Sequence, residues 1–165
     1  MPEPEKRKRQ TSLWTALRAV RVRSIPQLKL RMPGKSHSGP LPAITPGQEL
    51  LAAELLTTVS ELAGSIGQRN IFKPSGLRDS EAYLGGELTR LGYKVRRQAY
   101  MAAGVECANL DVEIVGSERP DEIVIVGAHY DSIGDSPAAN DNGSGVAATM
   151  ALARRFAGRK PARTV

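Results

Sequence analysis

The stretch Ile123-Val124-Ile125-Val126-Gly127-Ala128-His129-Tyr130-Asp131-Ser132 decides the reading of this chain. Four β-branched residues in unbroken succession suit a strand covered on both faces, because neither face alternates toward water. The run then delivers a histidine and a carboxylate at its end, where open α/β sheets collect ligands. Residues two apart on an extended chain share a side. Asp131 can therefore accept from one ring nitrogen of His129 and leave the other free for a metal ion. The same triplet also suits an ordinary surface turn.

Downstream, Asn140-Asp141-Asn142-Gly143-Ser144-Gly145 sets Asp141 just before a helix expected over 143–156. Gly143, Ser144, Gly145, Ala147 and Ala148 make the start of that helix small enough for close approach to a neighbour. An aspartate there is an ordinary N-cap. A short loop away from His129 it is equally a candidate ligand, and its two oxygens can bridge two ions where a histidine holds one. Asp135 falls in the turn composition Ile133-Gly134-Asp135-Ser136-Pro137 and reads as a loop residue. Arg163-Thr164-Val165 reads as the first step of a further strand.

Upstream, Thr45 and Gln48 have capping-box spacing and Pro46 suits a first helical position. Leu51, Leu55, Val59 and Leu62 recur on one face of the helix they open, and Gly64 and Gly67 mark its exit. A second helix is expected from Ser80 to Leu91, burying Leu84, Leu88 and Leu91, with Gly92 at C′. Gly85 and Gly86 either weaken it or admit a close neighbour. Tyr93 to Tyr100 reads as an outer strand and Asn109 to Val115 as a half-buried one, paired as an antiparallel hairpin across Ala102–Cys107. Cys107 is the sole cysteine, which excludes an internal disulfide and any multi-cysteine zinc module, and it reads as a packing residue. The class is α/β, with a mixed sheet flanked by helices.

The length, 165 residues, admits one domain. The net charge of +6 invites a nucleic-acid partner, yet it is not spread along the chain. Residues 1–48 hold ten Lys or Arg against Glu3 and Glu5, a balance of +8, while the other 13 basic and 15 acidic residues leave −2. Basicity thus belongs to a leader, residues 1–46, which also holds seven of the eleven prolines and is expected to be disordered. Leu13, Leu17 and Val20 give it a weak amphipathic stretch between Thr11 and Arg23. Contact with nucleic acid or an anionic membrane through residues 1–35 is the functional alternative to a solvated tail. No apolar stretch approaches the roughly 20 residues of a membrane span. No apolar core of a secretory signal is visible, which leaves the cytoplasm as the default compartment.

The segments Gly127–Ser132 and Ala139–Val146 together resemble the co-catalytic zinc peptidase family of leucyl-type aminopeptidases, glutamate carboxypeptidases and glutaminyl cyclases. Ile66-Gly67-Gln68-Arg69, Leu91-Gly92-Tyr93-Lys94-Val95 and Asn109-Leu110 extend the likeness collinearly over residues 48–165. The resemblance implies a three-layer sandwich and a site with two zinc ions that share a water and polarise the scissile carbonyl of a peptide substrate. His129 would hold one zinc, Asp131 would serve catalysis by orienting His129, and Asp141 would bridge both ions, with the peptide bond after it often cis. The family continues with an adjacent Glu-Glu pair, a later Asp and a later His, none of which this sequence supplies; its other histidine, His37, lies in the leader. The expectation is a C-terminally incomplete fold over residues 47–165, the N-terminal fragment of an aminopeptidase-like metallohydrolase, with weak or absent zinc binding and no activity alone. The alternative is a non-catalytic binding module of the same fold that uses the basic leader for anionic partners.

Overall fold

Thr45 closes the capping box that its spacing with Gln48 predicts. Its hydroxyl accepts the Gln48 N–H at 3.3 Å, and the Gln48 side chain accepts the Thr45 N–H at 2.8 Å. In this computed structural model, which describes residues 34–165 apart from Ser36, the helix so opened is α1, Pro46–Val59. The amphipathic stretch of residues 11–23 lies outside the described residues. Leu51, Leu55 and Val59 are half-buried and Leu62 fully buried, as their shared face requires, while Leu50 and Leu56 stay exposed. The helix runs on as a wider π-type segment, Ser60–Ile66, and ends at Gly67 with φ 80°.

The second helix, α2, spans Pro74–Arg90, six residues earlier than the expected start at Ser80. Pro74 takes the first helical position, where its missing N–H costs nothing. The Asn70 side chain bends the chain into it by accepting the N–H groups of Phe72 (3.0 Å) and Lys73 (3.2 Å). At the far end Gly92 has φ 88°; its N–H reaches the Thr89 carbonyl and the Tyr93 N–H reaches Leu88, the paired bonds of a Schellman motif. Leu77, Leu84 and Leu88 are buried on this helix and Leu91 is half-buried. Gly85 faces Leu110, whereas Gly86 faces open space, so close packing explains only the first of the pair.

Strands β1 (Arg96–Ala102) and β2 (Val105–Asp111) pair antiparallel with Ala102 opposite Val105. The connection is therefore tighter than the Ala102–Cys107 span: two residues, Ala103 (φ 49°) and Gly104 (φ 81°), make it. Positive φ at both is the geometry that matches the twist of a two-residue hairpin. Cys107 and Ala108 on β2 are buried. Strand β3, Arg119–Ile123, pairs in parallel with β4, Arg163–Thr164. Past β2, Ile114 and Val165 exchange both main-chain hydrogen bonds (2.8 and 3.0 Å). Gly116 makes room for this crossing, since a Cβ there would stand 2.6 Å from the Arg163–Thr164 backbone.

The run 123–126 departs from its expected burial. Ile123 is 67% exposed and Ile125 90%, and the assigned strand stops at Ile123. The reason lies in its neighbours: Val124 still donates to Thr164, but among the described residues no strand follows alongside to cover the rest. Helix α3, Gly145–Phe156, follows a wide π-type turn, Ala139–Ser144. It packs on α1, and Val146 and Met150 join Leu62, Leu84 and Leu88 in the core. Residues 42–165 form one compact unit.

Candidate metal centre

The chain after residue 126, outside any assigned strand, brings the side chains of His129 and Asp131 together. His129 Nδ1 stands 3.1 Å from Asp131 Oδ1. The other ring nitrogen, Nε2, stands 3.1 Å from Asp141 Oδ1. All three side chains are more than half exposed, so the group opens to solvent. Partial desolvation pulls the His129 pKa down, but the hydrogen bonds and charges of Asp131 and then Asp141 outweigh it and leave it above the ordinary 6.5.

Asp141 is delivered by the wide turn before α3. Within it Asp141 (φ −113°, ψ 88°) and Asn142 (φ −131°, ψ 37°) leave helical geometry, and the Asp141–Asn142 peptide bond is cis. The small residues that follow serve this turn rather than a neighbouring strand. A Cβ on Gly143 would meet the Ala138 carbonyl at 2.9 Å, and one on Gly145 would meet the Asn142 side chain at 2.1 Å. The Asn142 side chain accepts the Gly145 N–H at 3.1 Å and so caps the start of α3; Asp141 does not fill that role. Asp135 is an exposed loop residue whose carbonyl accepts from Gln68.

The residue that sequence reasoning passed over is Arg69, which entered only as part of a matching tetrapeptide. Its side chain is fully buried. It donates to the carbonyls of Leu62 (2.6 Å), Gly67 (2.6 Å), Tyr130 (2.7 Å), Pro137 (2.8 Å) and Ala138 (3.2 Å). Burial lowers its pKa below the usual guanidinium range, opposed by the charge of Asp131. No periodicity marks such a residue; its neighbour Gly67 is the sole local sign that the chain turns there. A mainly apolar pocket of about 600 Å³ is lined by Leu84, Leu110, Val126, Val146 and Met150 together with His129 and Asp131. Tyr130 spans this region and donates to the Ala108 carbonyl at 2.7 Å; burial, then the charge of Glu81, pushes its pKa up to about 12.

The donor set suits zinc in kind and in spacing. A neutral imidazole and a carboxylate are ordinary zinc ligands, and bonds of about 2.0–2.1 Å to each put the two donor atoms roughly 3.3 Å apart. Nε2 of His129 and Oδ1 of Asp141 stand close to that separation. The set is short in number: among the described residues no group of three His, Cys, Asp or Glu side chains converges to enclose an ion.

Residues 109–165 match the model of peptidase family M28. A probable zinc metalloprotease of Pyricularia oryzae is 34% identical over 120 residues, 67% of this chain and 24% of that protein. Leupeptin-inactivating enzyme 1 of Streptomyces exfoliatus is 32% identical over 108 residues, 64% of this chain and 24% of that enzyme. A vacuolar membrane protease of Candida glabrata is 33% identical over 72 residues, 44% of this chain and 7% of that protease. These matches support a zinc peptidase of family M28 over the part of the chain that they cover. The chain spans about a quarter of the length of the first two relatives.

Proposed function

We propose that residues 47–165 are the N-terminal portion of the catalytic domain of an aminopeptidase-like zinc hydrolase, preceded by the basic segment 1–46, and that they supply one half of a two-zinc centre. The observation that carries this reading is one imidazole ring held between two carboxylates, Asp131 on Nδ1 and Asp141 on Nε2, each at 3.1 Å. His129 offers Nε2 to one zinc. Asp131 holds the proton on Nδ1 and makes the ring a better donor. Asp141, whose Oδ1 faces Nε2 of His129, would hold zinc through its carboxylate. Bound zinc supplies polarisation of a peptide carbonyl and an acidified water. The full domain is read as a three-layer sandwich, and its substrates as peptides.

The chain as given binds zinc weakly and has no peptidase activity of its own. A catalytic zinc takes about three protein ligands, and His129 is the only histidine among residues 42–165. The sequence also contains no adjacent Glu-Glu pair to act as general base and ligand. Loss of a general base alone costs about 10²–10⁴ in rate. Purified protein with added Zn²⁺ is expected to leave an amino-acid anilide untouched while Zn²⁺ shifts the ring resonances of His129. Metal-dependent turnover would overturn the inactivity, and silence of His129 toward Zn²⁺ would overturn the metal site.

A further inference from the structure

The five carbonyls around Arg69 are not scattered. Leu62 lies within the π-type segment that continues α1, and Gly67 caps its end. Tyr130, Pro137 and Ala138 belong to the two ends of the loop that joins His129 to Asp141. Tyr130 lies between His129 and Asp131. Ala138, three residues before Asp141, has left-handed backbone with φ 50°, and its carbonyl also takes the Gly143 N–H at 3.1 Å. The main chain of Arg69 grips the same loop: its N–H donates to the Ser132 hydroxyl (2.9 Å) and its carbonyl accepts the Ser132 N–H (2.7 Å).

A buried guanidinium with no carboxylate hydrogen-bonded to it among the described residues is an expensive way to fill a core, since desolvation opposes its charge. What it offers is a rigid planar fork with five N–H donors, able to fix several acceptors in one frame. Here that frame ties both loop ends to α1. We infer that Arg69 is a positioning residue for the candidate metal centre, setting the separation of His129 from Asp141 by holding the Tyr130 and Ala138 carbonyls against the helix. This rests on the reading of His129 and Asp141 as metal ligands.

The test is a Zn²⁺ titration of the full chain followed through the ring resonances of His129, with urea midpoints measured on the same samples. Arg69→Lys keeps the charge but not the fork. It is expected to weaken zinc binding about 10-fold, the size of effect seen when the support of a ligand is removed. Thr164→Ala, at a buried residue outside the pocket that His129 lines, is the control for lost stability and is expected to leave zinc affinity within about 2-fold. Wild-type affinity in Arg69→Lys, or an equal loss in Thr164→Ala, overturns the inference and leaves the metal reading standing. If Arg69→Lys does not fold, Ser132→Ala decides, because it cuts the side-chain bond between loop and Arg69. A loss of about 3-fold is expected there, on the same grounds, and unchanged affinity overturns the inference. No response of His129 in the wild-type protein overturns the metal reading itself, and the inference with it.

Discussion

His129 and Asp141, twelve residues apart in sequence, meet at 3.1 Å through Nε2 and Oδ1, while Asp131 takes the opposite nitrogen of the same ring. Metal binding should follow this division of labour. His129→Ala is expected to abolish the zinc response and Asp141→Asn to weaken it by about 10-fold or more, as loss of a ligand would. Asp131→Asn should cost about 10–100-fold while both ligands remain. All three groups are exposed, so the urea midpoint should barely move. Isothermal titration with Zn²⁺ beside urea melts separates the two effects.

Tyr130 gives a pH signature. Its phenol is held neutral in the fold, with a pKa near 12 against about 10 unfolded. Between those values the unfolded chain releases a proton that the folded one keeps. The contribution of Tyr130 is thus complete below pH 10 and is lost as pH rises toward 12. Tyr93, also raised by burial, adds to the same slope. Urea midpoints measured from pH 9 to 12 should fall, and Tyr130→Phe should flatten the decline.

The hairpin turn can be improved. Ala103 is exposed and held at φ 49°, where a Cβ is unfavourable, and Gly104 follows it. Asn-Gly is the preferred pair for this turn. Ala103→Asn should raise stability by about 0.5–1 kcal/mol, read as a higher melting temperature with no change in zinc response.

Among the described residues, two hydroxyls in the core have no hydrogen-bond partner. Thr58 Oγ1 and Ser80 Oγ are buried without a partner. Removing such a group should be neutral or stabilise the fold by up to about 1 kcal/mol. Thr58→Val and Ser80→Ala, measured by urea unfolding, should therefore not destabilise the protein; a loss above about 1 kcal/mol would show that the hydroxyls are satisfied in solution.

Local chemistry was legible where one residue type has one use. Thr45 with Gln48 opened α1, Gly92 closed α2, and the spacing of His129 and Asp131 brought their side chains together. The start of α2 was missed because Leu84 and Leu88 carry the visible period, although Pro74 marks a first turn by itself. Burial of residues 123–126 was misjudged because an apolar run reports what a strand needs, while cover comes from other segments. Arg69 was illegible for a related reason: its acceptors are main-chain carbonyls 2 to 69 residues away, and carbonyls leave no trace in a sequence.

The exposed run from Ile123 to Val126 governs how this protein behaves in a tube. Ile125 lies almost wholly in water beside apolar neighbours of high strand propensity. A bare, uncharged edge of that kind is a template on which a second molecule can add its own strand. Concentrated samples will therefore scatter light and grow with time, and the remedy is a single lysine or glutamate in place of the exposed Ile125.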